Sequence, residues 1–63
     1  MSFAKNLKKA RLRHKLSQKD LGELIGRNQE AVCNYEKGIR SPKITVIPVI
    51  SKVLKIGIDD LLK

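Results

Sequence analysis

Two helix starts and two helix stops follow one another between residues 17 and 38, and no other feature narrows the possible folds as much. Ser17 is followed three residues later by Asp20, a capping box with Asp in place of the preferred Glu, and Leu16 and Leu21 can form a hydrophobic staple across the cap. A helix therefore starts near Gln18. Leu21, Leu24 and Ile25 supply its buried stripe, and Gly26 ends it as a left-handed residue does. Asn28 is a good N-cap for the next helix, which carries Ala31, Val32 and Tyr35 inward and stops at Gly38. With three residues between the two helices, the turn joining them has to be tight.

The flanking segments read as helices too. Phe3, Leu7 and Ala10 recur at helical steps, and Ser2 as N-cap starts a first helix running to about His14 with a basic outer face. After a loop holding Pro42, Thr45 is expected to cap a fourth helix with Pro48 in its first turn. Ile47, Ile50, Val53 and Leu54 face the core from it. Ile58, Leu61 and Leu62 make a last short helix, with Asp59 and Asp60 near its positive end. Ile44 to Ile50 is β-branched enough to read locally as a strand, but a single strand has no partner. The fold class is all-α: one domain over residues 1–63, a compact bundle of five short helices.

So short a chain buries only about 60% of the surface its unfolded form exposes. The lone Cys33 makes no internal disulfide, and one Cys with His14 assembles no metal cluster, so no cofactor or metal is expected. Packed helices or a partner chain must supply the stability. No apolar run approaches the roughly 20 residues of a membrane span, and the N-terminus lacks the apolar core of a signal peptide, so the expected address is the cytoplasm.

Charge points to a polyanion. Fourteen Lys and Arg against six Asp and Glu give a net charge of +8. Residues 1–15 hold Lys5, Lys8, Lys9, Arg11, Arg13 and Lys15 with no acid, and residues 37–43 add Lys37, Arg40 and Lys43, again without one. Two basic blocks around a mixed segment fit a protein that straddles a phosphate backbone, although charge alone suits an anionic membrane or ribosomal RNA equally.

The second helix, the turn at Gly26 and the third helix form a helix-turn-helix, about residues 18–37, whose second helix enters the major groove while the first crosses the backbone. Gly22 puts a residue without a side chain where the helices approach, and Val32 plugs the space between them. The run from Leu7 to Leu62 resembles the phage-repressor and Cro (XRE-like, lambda-repressor-like) type of helix-turn-helix domain. The matching residues are Arg11, Leu16-Ser17-Gln18, Leu21-Gly22-Glu23-Leu24-Ile25-Gly26, Tyr35-Glu36-Lys37-Gly38, Ser41-Pro42 and the closing Leu54 to Leu62. Departures are Lys15 and Lys55, where the family often has glycine, Gly22 where alanine is frequent, Arg27 where a small apolar residue packs, and Gly57 where a better cap is common. They imply lower stability on the same fold.

At 100° per residue, Ala31, Val32 and Tyr35 facing inward turn Glu30, Cys33 and Lys37 outward, with Gln29 and Asn34 flanking and Asn28 at the helix start. Asn28, Gln29, Glu30, Cys33 and Asn34 are the candidate base contacts. The amides of Gln29 and Asn34 can pair bidentately with adenine, and Glu30 can accept from cytosine N4. Lys37, Arg40, Lys43 and Arg27 are candidate phosphate contacts. The resemblance implies that Gln18, with Ser17, reaches a further phosphate at a helix N-terminus. It also implies an ion pair between Arg11 and Glu36, and a dimer surface at Ile56, Ile58 and Leu61. At Cys33, a small residue near a thymine methyl is a simpler reading than a redox switch. His14 has no partner visible in the sequence.

The chain offers no nucleophile and base arrangement, so an enzyme is not expected. The expected function is a sequence-specific double-stranded DNA-binding transcriptional regulator, a repressor, acting as a homodimer on a palindromic operator with half-sites about 34 Å apart. The alternative is an antitoxin-like or other protein-interaction module on the same fold, which calls for a partner-binding tail. A membrane-active cationic peptide would lack capped turns at fixed spacing. No membrane partner or small-molecule ligand is evident.

Overall fold

The computed structural model describes residues 2–63. Five helices follow in order, α1 (Phe3–Arg13), α2 (Gln18–Ile25), α3 (Gln29–Lys37), α4 (Ile47–Leu54) and α5 (Ile58–Leu62), with no strand among the described residues. The starts are where the caps put them. Ser2 Oγ accepts from the Lys5 N–H, Asn28 Oδ1 from the Ala31 N–H at 2.8 Å, and Ser17 and Asp20 exchange both bonds of the capping box. The Asp20 carboxyl is held below the usual carboxylate range, first by the backbone N–H of Ser17 and then by its hydroxyl.

The stops share one device. α1, α2, α3 and α4 are each followed by a residue in the left-handed region, Lys15 (φ 56°), Gly26 (φ 74°), Gly38 (φ 75°) and Lys55 (φ 53°). After each of them the next N–H returns to a carbonyl five residues back: Leu16 to Arg11, Arg27 to Gly22, Ile39 to Asn34 and Ile56 to Ser51. Glycine adopts this conformation without steric cost; lysine does not. Lys15→Gly and Lys55→Gly are therefore each expected to raise stability by about 1 kcal/mol, and Tm by about 4–8 °C, in thermal unfolding. A lower Tm in either variant would mean that the lysine side chain contributes more than its backbone costs.

Leu7, Leu21, Val32, Ile50, Leu54 and Leu61 are sealed from solvent, and Ala10, Ile25, Tyr35 and Val46 complete the core, with Phe3, Leu16, Ala31, Ile47, Val53 and Ile56 packed around it. Two expectations need correction. Leu24 is 54% exposed. The buried arc of α2 is Leu21, Gly22 and Ile25, because Gly22 is the face turned to the α2–α3 turn. A Cβ on Gly22 would lie 2.7 Å from the Arg27 carbonyl oxygen and 3.0 Å from that of Asn28. Thr45 is exposed and caps nothing: a backbone turn, with the N–H groups of Val46 and Ile47 on the Lys43 carbonyl, leads into α4 and buries Val46. Leu62 is half exposed, and Leu61 alone anchors α5 in the core.

Asn6 supplies a tie that the sequence reading missed. Buried on α1, it donates both hydrogens of its amide, to the carbonyls of Leu61 and Lys63 at 3.0 Å each, and so satisfies backbone acceptors at the end of α5.

Candidate nucleic-acid interface

α3 is oriented by its apolar stripe. With Val32 and Tyr35 buried and Ala31 half-buried, the opposite arc faces out, and Gln29, Glu30, Cys33, Asn34 and Lys37 line a shallow groove that Gln18 of α2 closes on one side. Four of the five candidate base contacts thus share one surface. Asn28 does not join them. Its Oδ1 is engaged as the N-cap of α3, and it lies in a second groove along the other flank of the helix.

That second groove gathers Arg27 from the α2–α3 turn with Arg40, Ser41 and Lys43 from the loop after α3. Among the described residues none of these cations is in an ion pair. Lys37, expected on phosphate, lines the outer groove of α3 and not this one. Ser17 is exposed at the start of α2, its Oγ accepting the Asp20 N–H at 2.9 Å.

Beneath this surface Arg11 and Glu36 form the pair that the resemblance implied. Arg11 Nε donates to Glu36 Oε2 at 2.6 Å and Nη2 to Oε1 at 3.1 Å, with side chains 9% and 3% exposed. The guanidinium also donates through Nη1 to the Leu16 carbonyl at 2.7 Å, bracing the α1–α2 turn. Gln18 Nε2 donates to Glu36 Oε1 at 3.2 Å, so one carboxylate fixes both Arg11 and the amide at the mouth of α2. The amide NH₂ has a second hydrogen, available to an anion there. His14, without a visible partner in the sequence, has one in the fold: its Nε2–H donates to the Leu54 carbonyl at 2.7 Å.

The C-terminal surface also departs from expectation. Leu61 is fully buried and unavailable to a second chain, Ile56 is half-buried against the core, and Ile58 remains exposed. Among the described residues no three of His, Cys, Asp and Glu come together as a metal site. Nor, among the described residues, is any helix long and apolar enough to cross a membrane.

Residues 7–61 match the helix-turn-helix family model. YqaE of Bacillus subtilis (strain 168), described as an uncharacterized HTH-type transcriptional regulator, is 38% identical over 61 residues, which are 97% of this chain and 53% of that protein. The chain thus spans about half the length of the curated relative it matches. Among solved structures, the P22 c2 repressor protein in complex with a synthetic operator superposes with a TM-score of 0.95 at 25% identity, over all of this chain and 96% of that one. The restriction-modification controller protein C.AhdI from Aeromonas hydrophila gives 0.88 at 28% identity, over 95% and 91%. Hydroxypropylphosphonic acid epoxidase from S. wedmorenis also gives 0.88, at 31% identity, but the match takes in only 32% of that enzyme's chain.

Proposed function

Since the chain belongs to the helix-turn-helix family, we propose that it is a sequence-specific double-stranded DNA-binding transcriptional regulator, a repressor, that reads the major groove with α3. The observation that carries this is the division of labour around α3. Apart from Gln18, which also holds Glu36, hydrogen-bonding side chains free of internal side-chain partners line its outer groove, and cations without an ion pair among the described residues line the groove beside it. Gln29, Glu30, Cys33 and Asn34 address base edges, while Arg27, Arg40, Lys43 and the Gln18 amide hold phosphates and set the register. Residues 1–63 act as one DNA-binding domain, without catalysis, in the cytoplasm. One α3 spans too few bases for selectivity, so two copies bind a palindrome through a C-terminal surface centred on exposed Ile58 and Leu62 and the edge of Ile56.

Competition binding of Gln29→Ala and Asn34→Ala tests the reading. Each is expected to cost about 1–3 kcal/mol on the preferred duplex and little on random duplex, relaxing preference at individual base pairs. Equal losses on both duplexes would assign these residues to the backbone and remove α3 as the reader.

A further inference from the structure

A third cleft lies between the C-terminal half of α1 and the junction of α4 with α5, and none of its residues belongs to either groove beside α3. It offers about 460 Å³, within the range of small-molecule sites. Lys9 and Arg13, one turn apart on α1, line it together with Lys55. Among the described residues none of the three is in an ion pair, and α1 contains no acid to offset them. Like charges one turn apart repel. The negative end of the α1 dipole accounts for Arg13 in the last turn, but not for Lys9 further back, nor for Lys55 in a left-handed conformation that glycine would adopt more easily.

Asn6 adds an independent observation. It is 8% exposed and lines the same cleft. Its Nδ2 is committed to the Leu61 and Lys63 carbonyls, so the amide atom left to meet a ligand is the Oδ1 acceptor. The walls are fixed: the His14 bond to the Leu54 carbonyl ties the ends of α1 and α4, and the Ile56 N–H on the Ser51 carbonyl holds the turn that carries Lys55. Asp60, ion-paired with Lys63 at 3.2 Å, limits the basic surface on the α5 side.

We propose that this cleft binds a small phosphorylated molecule. Its phosphates lie between Lys9, Arg13 and Lys55, and a hydroxyl or amine of its body donates to Asn6 Oδ1. The assignment is independent of the DNA reading.

The test is an NMR titration of the ¹⁵N-labelled protein with ATP and with pyrophosphate, at constant ionic strength. Saturable shifts are expected at Asn6, Lys9, Arg13 and residues 55–57, with ATP tighter than pyrophosphate because only ATP has a body to donate to Asn6. Arg13→Ala and Lys55→Gly should each weaken ATP by about tenfold. Lys55→Gly relieves backbone strain, so a loss of binding in that variant is not a loss of fold. Non-saturating shifts spread over Arg27, Arg40 and Lys43 as well, or saturation untouched by both substitutions, would overturn the proposal. So would weaker binding of duplex DNA in both variants, which would make the cleft part of a DNA surface.

Discussion

Glu36→Ala is expected to cost about 3–5 kcal/mol and to leave much of the protein unfolded at room temperature. The reason lies in what stays behind. Arg11 remains buried with its charge unpaired, and removing one partner of a buried ion pair costs several times what the intact pair contributes. A domain of this size has roughly 3–5 kcal/mol to lose, with no disulfide in reserve. Arg11→Ala should be milder by chemical denaturation, because the Glu36 it strands still holds the Gln18 amide. The double variant should lose less than the two single losses added together, by about 1–3 kcal/mol of coupling. Strict additivity would mean that the bidentate geometry carries no net interaction.

The second large effect is electrostatic. Neutralising Arg27, Arg40 and Lys43 together is expected to flatten the plot of log affinity against log salt by about 2.7, close to one unit for each phosphate released. It should also weaken binding to preferred and random duplexes alike, because phosphate contacts position the protein without reading sequence. Fold should survive, since these side chains are exposed. An unchanged slope, measured by titration at several salt concentrations, would show that the groove beside α3 does not meet the backbone.

The parts of this account legible in the sequence are those fixed by neighbours along the chain. A serine or asparagine cap, a left-handed glycine and a three-residue turn act within one helical turn, so α2, α3 and the outward arc of α3 could be placed from residue types alone. Lys15 and Lys55 are the instructive pair. Both end their helices where glycine would, so they carry no punctuation of their own, and only their resemblance to a family pattern marked the positions.

What stayed hidden depends on backbone groups distant in sequence. Asn6 and His14 look like ordinary helix residues until their partners, the carbonyls of Leu61, Lys63 and Leu54, are brought against them by the fold. Carbonyls have no sequence signature. Leu24 misled because a hydrophobic residue at helical spacing counts as core unless a glycine claims the face, as Gly22 does by letting the turn approach. The link from Gln18 to Glu36 had no local signal either, and it joins the start of α2 to the buried pair that ties α1 to α3.

Selection from a random duplex library at a stated salt concentration tests most directly whether α3 reads base sequence. The expected result is enrichment of an inverted repeat whose half-sites lie about one helical turn apart. Recovery of the library without enrichment, with binding that fades steeply as salt rises, would contradict it and leave only the non-specific attraction of a basic surface.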